Sequence, residues 1–131
     1  MSQENVEIVR AGFEAWNRGD MDAFAEVHHP DVVLLAAEGW PEPGPYVGRD
    51  ALMRQFEQMR STWDADNLEA ISDFIDVGDR VVMRISWDAV GQGPGFNIEV
   101  TQVFTVRKGK IILIEIFWDH AQALKAVGLS E

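Results

Sequence analysis

Four side chains of this 131-residue sequence have the chemistry of proton transfer or of anion stabilisation: Glu38, His28, Arg84 and Asp119. Glu38 stands where the apolar run "VVLLAA" ends, two residues before Trp40. Burial beside that indole would favour the protonated carboxyl and suit it to act as a general base. The alternative is a solvated carboxylate beside a glycine. The sequence therefore offers Glu38 as a candidate base and leaves its burial open.

His28 and Arg84 are the second and third candidates. A neutral histidine in a pocket could pass a proton near pH 7. The same residue at the end of a helix could instead interact with the helix dipole. Arg84 interrupts the apolar run "VVMRISW", where a charge is costly unless it is paired or faces an anion. The anion is either a ligand oxygen or an internal carboxylate, Glu99 or Glu115.

Asp119 follows the strand-like "IEIFW" and precedes a short helical segment. It could serve as a general acid or base, but an aspartate at this place is a natural N-cap, and we favour the cap. The pair His28–His29, even with Asp31 and His120, lacks the spacing that presents metal ligands together. We therefore predict no metal and no cofactor.

A set of aromatic and small polar side chains could bind a flat apolar ligand. The aromatic members come from well-separated segments, and any one of the tryptophans could instead fill the core. The predicted ligand-binding residues are Trp16, Trp40, Tyr46, Trp63, Ser86, Thr101 and Trp118.

These candidates depend on helices that come first in the chain. Helical spacing from Val6 to Trp16 predicts a first helix through Arg18. Asp20 is the expected cap of a second helix, "MDAFAEVHH", which Pro30 ends. A third helix is expected to begin around 49–51 and to carry four side chains on one face: Leu52, Phe56, Met59 and Trp63.

The strands follow a different period. A short strand is expected from Val32 to Ala37, and alternation later predicts four more, "NLEAISDFIDVG", "DRVVMRISWDAVG", "GFNIEVTQVFTVRKG" and "KIILIEIFWD". Helices followed by a strand meander predict an α+β fold with helices packed on one side of an antiparallel sheet.

Both faces of the last strands are rich in apolar residues. We assign one face to Val81, Met83, Ile85, Trp87, Phe104 and Phe117, and the other to Val82, Val103, Ile112, Ile114, Ile116 and Trp118. Few helices are available to cover two faces, so we predict a homodimer through the outer face of the sheet.

The composition disfavours some partners and excludes some kinds of chemistry. The 22 acidic and 11 basic residues give a net charge of −11, which disfavours nucleic acid and anionic membranes as partners. The absence of cysteine excludes disulfides and thiolate chemistry. The N-terminus is unlike a signal peptide, so we expect a cytoplasmic protein with residues 1–131 forming one domain.

Several segments resemble the SnoaL-like branch of the nuclear transport factor two-like superfamily. They are "AGFEAWNRGDMDAFAEVHHPDVVL", "GRDALMRQF" and "GKIILIEIFWDHAQAL" with a closing "GL". The resemblance implies a cone, in which a curved sheet wraps around the N-terminal helices and leaves an internal pocket. Relatives include ketosteroid isomerases, polyketide cyclases, limonene epoxide hydrolases and non-catalytic modules.

This chain departs from two of those chemistries. Aligned with the isomerases, the base position falls on Ala36, and the oxyanion donors fall on Gly12 and Thr101. Aligned with the epoxide hydrolases, the two acid positions fall on Val82 and Ile116, with Arg80 in the arginine place. Both activities are therefore disfavoured. Alternation in a strand puts Glu38 on the face of Ala36, and by the same parity we expect Arg84, Ser86 and Thr101 to face the pocket.

The sequence thus predicts binding of a small hydrophobic, aromatic, polyketide- or terpenoid-like molecule. Cofactor-free proton transfer of an isomerase or cyclase type would use Glu38 or His28 as the base and Arg84 or Thr101 at the developing oxyanion. The alternative is a non-catalytic binding or association module.

Overall fold

The structure, a computed structural model, describes residues 2–36, 44–61, 63, 65–91 and 95–129. Its helices are α1 (Ser2–Asn17), α2 (Met21–Glu26), α3 (Arg49–Ser61) and α4 (His120–Ala126). Its strands are β1 (His28–Leu35), β2 (Tyr46–Val47), β3 (Ala65–Ala70), β4 (Ile75–Val77), β5 (Arg80–Val90), β6 (Phe96–Arg107) and β7 (Lys110–Phe117). The predicted α+β class is confirmed.

Local chemistry sets the helix ends. The side chain of Asp20 accepts a hydrogen bond from the backbone N–H of Ala23, and that of Asp119 accepts one from Ala121, so both are N-caps as predicted. α1 is amphipathic, and Val6, Val9 and Trp16 bury its inner face. No helix among the described residues has the length and apolar character that a bilayer span requires.

The strands form one mixed sheet in the order β2-β1-β7-β6-β5-β3, with β4 paired to β5 as well. β5, β6 and β7 are the predicted antiparallel meander, and Lys108 and Gly109 turn between the last two with positive φ angles of 55° and 77°. β1 joins this meander in parallel to β7. α1 packs against β3, β4, β5 and β7, so the sheet wraps around it.

Three predicted boundaries were wrong. α2 ends at Glu26, and His28 opens β1 because the chain there pairs with β7, where Ile111 donates a backbone hydrogen bond to Val27. Trp63 lies beyond the end of α3 and not on its apolar face. The strand predicted over "NLEAISDFIDVG" divides into β3 and β4, because the Ser72 side chain and the Ile71 backbone bond to the backbone of Arg84 between them.

The parity of the sheet differs from the prediction for β7. Ile114 and Ile116 belong to the inner core cluster with Val81, Met83 and Ile85, whereas Phe117 lies on the outer face. A β-bulge explains the reversal: Thr105 is paired with Leu113 and Val106 with Ile111, so Ile112 is an extra residue. One inserted residue moves every later side chain of a strand to the opposite face.

The outer face is partly covered by the chain itself. Ala123 and Leu124 of α4 pack on Val82 and Val103, which are fully buried. α4 therefore covers part of the apolar outer face that the prediction assigned to a partner subunit. The homodimer stays a prediction.

Candidate functional site

A cavity lies between the helices and the inner face of the sheet. Its volume is about 80 Å³, roughly six times the space that one water molecule requires. The lining comes from α1, α2, α3 and six of the strands, and within the described part of the chain it contains no charged residue. Its polar members are His28, Tyr46, Gln102 and the indoles of Trp16 and Trp87.

Aromatic rings form one wall of the cavity. The ring of Trp16 lies 5.2 Å from that of Phe24 and 5.5 Å from that of Phe56, in edge-to-face arrangements. Phe24 and Phe56 are 5.6 Å apart, which closes the group of three. Such a wall offers flat, rigid apolar surface to a flat ligand.

Asp66 of β3 holds the two indoles of the lining in place. Its Oδ2 accepts a hydrogen bond from Nε1 of Trp16 at 2.6 Å and another from Nε1 of Trp87 at 2.8 Å. The carboxylate side chain is only 3% exposed. Both indole N–H groups are thus bonded to Asp66, so they are not available to a ligand.

Arg60 neutralises this buried carboxylate. Its Nη2 lies 3.2 Å from Oδ1 of Asp66, and its Nη1 donates to the backbone carbonyl of Trp16 at 2.7 Å. The guanidinium also stacks 4.4 Å from the centroid of the Trp16 ring. A buried acid is tolerated here because ion pairing and two indole donors offset its desolvation.

His28 is a polar group buried in the cavity lining, with 2% of its surface exposed. Its Nδ1 lies 2.8 Å from the backbone carbonyl oxygen of Phe24, which can only accept, so Nδ1 carries the proton. This bond satisfies a carbonyl near the end of α2 that would lack a helical partner. Nε2 is then the nitrogen with a lone pair.

Burial lowers the pKa of His28 from 6.5 to about 4. The hydrogen bond to Phe24 raises the pKa, and the charge of Arg49, which donates to the His28 carbonyl, lowers it further. The imidazole is consequently neutral at pH 7. A neutral histidine is the form that the sequence analysis considered for proton transfer, and its part in such a step stays a prediction.

Gln102 is the polar side chain that β6 contributes to the inner face. It alternates with Val100 and Phe104, which line the same cavity. Within the described residues its amide makes no hydrogen bond, so both its donor and its acceptor are available to a ligand.

His28 and Gln102 lie at different levels of the cavity. His28 is in register with Ile111 of β7, and Gln102 is in register with Ile116. Because Ile112 is a bulge, this interval is four residues of β6, from Gln102 to Val106, which corresponds to about 13 Å between backbone positions. The two side chains are therefore separate polar positions, and one ligand atom does not contact both.

A family model described as a SnoaL-like domain matches residues 9–114. This chain belongs to the SnoaL-like family. No curated protein is significantly similar to it in sequence.

Solved structures share the fold of this SnoaL-like chain. An NTF2-like protein from Burkholderia thailandensis E264 is 26% identical with a TM-score of 0.77, over 93% of this chain and 95% of that one. A putative polyketide cyclase from Sinorhizobium meliloti is 25% identical with a TM-score of 0.70, over 84% and 93%. TerC, co-crystallised with polyporic acid, is 21% identical with a TM-score of 0.77, over 95% and 98%.

Three residues predicted to face the pocket of this SnoaL-like chain lie on the outer face instead. Arg84, Ser86 and Thr101 alternate with cavity-lining residues and point the other way, so the predicted parity was wrong by one. Arg84 lies 3.5 Å from Glu99, one of the two internal partners considered for it.

The other two residues of this set also have partners on the outer face. Ser86 accepts from Asn97 at 2.6 Å. Thr101 is bonded to Nδ1 of His120 at 3.0 Å. These contacts give each side chain a structural partner away from the cavity.

The remaining predicted residues divide into two groups. The cavity is lined by Trp16, Tyr46 and His28. Its described lining does not include Trp63, Trp118 or Asp119, the last of which is an exposed helix cap. Glu38 and Trp40 lie outside the described residues. Ala36, the residue aligned with the isomerase base, packs on the inner core cluster.

Sequence reasoning missed Gln102, Asp66 and Arg60. Gln102 is one residue from Thr101, and the alternation of Val100, Gln102 and Phe104 could have identified it. Asp66 in "ADNLEA" has no local signal, because its partners lie elsewhere in the chain. Among the described residues, no three His, Asp or Glu side chains are grouped as metal ligands would be.

Proposed function

We propose that this SnoaL-like chain binds a flat, largely apolar small molecule in the cavity between α1 and the sheet. The observation that carries the proposal is the described lining itself, which is apolar and aromatic but includes separated polar side chains, among them His28 and Gln102. Ligand sites of small molecules have this composition, with a few polar groups that fix orientation.

The comparisons support the same class of ligand. TerC was co-crystallised with polyporic acid, and the Sinorhizobium protein is described as a putative polyketide cyclase. By analogy, an aromatic or polyketide-like compound is the ligand class that we propose for this chain.

Cofactor-free proton transfer is the second candidate function. It is favoured by the neutral imidazole of His28, whose Nε2 lone pair can accept a proton from a bound carbon or oxygen acid. A pKa of about 4 makes His28 a weak base, comparable in strength with the aspartate base of ketosteroid isomerase. Isomerase activity on steroids remains disfavoured because Ala36 and Gly12 replace two functional positions of that enzyme.

Native mass spectrometry of freshly purified protein tests the binding proposal. We expect an adduct of a small apolar molecule that is lost on denaturation, and quenching of tryptophan fluorescence when aromatic probes are added. Failure of every aromatic probe to bind would contradict the proposal. Exchange of a ligand carbon-bound proton for deuterium, absent in a His28→Asn variant, would identify the catalytic alternative.

A further inference from the structure

We infer that the ligand is an uncharged hydroxylated aromatic whose hydroxyl group donates a hydrogen bond to Nε2 of His28. The inference rests on the proposed binding function and specifies the chemical class that the cavity selects. It follows from the hydrogen bond that Nδ1 of His28 makes, and from the absence of charged side chains in the described part of the lining.

A backbone carbonyl determines which nitrogen of His28 can accept a hydrogen bond from a ligand. Nδ1 of His28 is bonded to the carbonyl oxygen of Phe24 at 2.8 Å, and a carbonyl can only accept. The proton is therefore held on Nδ1, and Nε2 presents a lone pair. Within the described residues the ring makes no second hydrogen bond, so the lone pair of Nε2 is available to a hydroxyl donor.

The described part of the lining carries no cationic side chain, which disfavours anionic ligands. The described lining contains no lysine or arginine. Arg60 contacts the back of the Trp16 wall and is paired with Asp66, whereas Arg84 lies on the outer face, paired with Glu99. A carboxylate in the cavity would therefore lose its hydration without an opposite charge, which is strongly unfavourable.

The hydrogen bonds of the two indoles also favour an uncharged ligand over an anionic one. Trp16 and Trp87 donate their N–H groups to Asp66, so they contribute apolar ring surface without a donor for an anionic oxygen. In the described part of the lining, Gln102 supplies an amide donor and Nε2 of His28 supplies an acceptor. The expected ligand carries a hydroxyl at the His28 level and an uncharged polar group near Gln102.

The test compares three probes of one shape at pH 7: naphthalene, naphthol and naphthoate. Naphthalene binding measures the cavity alone. We expect naphthol to bind about three- to tenfold more tightly than naphthalene, as one net hydrogen bond predicts. We expect naphthoate to bind at least about tenfold more weakly than naphthalene.

Two variants locate the effect. In His28→Asn the shorter amide retains a donor for the Phe24 carbonyl but has no group at the place of Nε2, so the preference for naphthol over naphthalene should disappear. In His28→Gln the longer amide reaches that place and should restore part of the preference. The readout is the ratio of the naphthol and naphthalene affinities within each variant, so a change in cavity shape that affects both probes equally does not alter it.

A measurement on the unmodified chain guards against a variant that fails to fold. The ¹⁵N NMR signal of Nε2 should shift when naphthol is added and stay in place when naphthalene is added. An unchanged Nε2 signal, a preference for naphthoate, or a naphthol preference that persists in His28→Asn would overturn the inference. If none of the probes binds to the wild type, the binding function itself is wrong.

Discussion

The indole nitrogen of Trp16 lies 2.6 Å from Oδ2 of Asp66, fifty residues further along the chain. Trp87 donates to the same oxygen, and Arg60 pairs with the other one. One carboxylate thus joins α1, α3 and β5 around the cavity wall. Its loss would leave three donors without their acceptor in a site that is largely closed to water.

Asp66→Ala should lower the free energy of unfolding by about 3 kcal/mol or more, because it leaves a guanidinium and two indole N–H groups unpaired. Urea unfolding followed by circular dichroism measures the change. Glu69→Ala is the matched control, since Glu69 is an exposed carboxylate on the same strand, and it should change the value by no more than about 0.5 kcal/mol. Equal effects of the two substitutions would show that Asp66 does not hold the wall.

His28 should make stability depend on pH between about 4 and 6.5. Its pKa is about 4 in the folded chain, against 6.5 for an unperturbed histidine, so the unfolded chain binds the extra proton in this window. Its contribution is fully present above pH 6.5 and falls as the pH is lowered, by about 3 kcal/mol in total at pH 4.

Unfolding free energies of the wild type and His28→Asn, measured from pH 7 to pH 4, test this dependence. The difference between the two curves separates His28 from the carboxylates that titrate near the lower limit. The two curves should converge as the pH falls if the wild type is the more stable at pH 7. A ring NMR titration of His28 centred near pH 6.5 would refute the expectation.

Gln102→Leu should leave the free energy of unfolding unchanged or raise it by up to about 1 kcal/mol. The substitution removes an amide that has no hydrogen bond within the described residues and replaces it with an apolar side chain of similar size. Affinity for a naphthoquinone probe should fall about three- to tenfold, because the carbonyl loses its donor. Thr105→Val on the opposite face of β6 is the control for affinity, and a loss of stability without a loss of affinity would contradict the prediction.

Arg84→Met should leave ligand affinity unchanged and cost no more than about 1 kcal/mol of stability. The ion pair with Glu99 is half exposed, with 42% and 53% of the two side chains accessible, so solvent screens most of its energy. Isothermal titration with an aromatic probe checks the affinity. A tenfold loss of affinity would mean that Arg84 contributes to the cavity after all.

A substitution of Leu113 can test the homodimer. Leu113 is next to the inward-facing Ile114 in β7 and therefore lies on the outer face of the sheet. Sedimentation should give twice the mass of the 14.7-kDa chain, and Leu113→Glu should shift the equilibrium towards the monomer. A monomeric wild type at micromolar concentration would exclude the predicted interface. Sheet pairing through the edge strand β2, where Val47 is exposed, would be insensitive to this substitution.

The sequence predicted the parts of the fold that local chemistry determines. Asp20 and Asp119 were recognised as caps, and the meander from β5 to β7 was recognised by alternation and by the turn residues between strands. His28 was placed on a helix because "MDAFAEVHH" continues the helical composition, whereas the strand that it joins pairs with residues more than eighty positions away. Non-local pairing of this kind leaves no local pattern.

The site was harder to predict because a shift of one residue along a strand decides whether a side chain faces the cavity or the outer face. Thr101 and Gln102 are neighbours, yet one is bonded to His120 under α4 and the other lines the cavity. Both faces of β6 are apolar enough to be taken for the inner one, and in β7 the bulge at Ile112 reverses the alternation without a local signal. Trp16 and Tyr46, which line the cavity, were predicted as ligand-binding residues from their aromatic type.

The parallel pairing of β1 with β7 has a consequence for synthesis on the ribosome. His28 is made early, but its neighbour Ile111 is made more than eighty residues later. The nascent chain can form α1 and α2 while β7 is still untranslated. At that stage the strand that pairs with β1 and completes the wall of the cavity is missing. The proposed ligand binding can therefore begin only after the β6–β7 hairpin has emerged, and until then the apolar faces of α1 and α2 are open to chaperones.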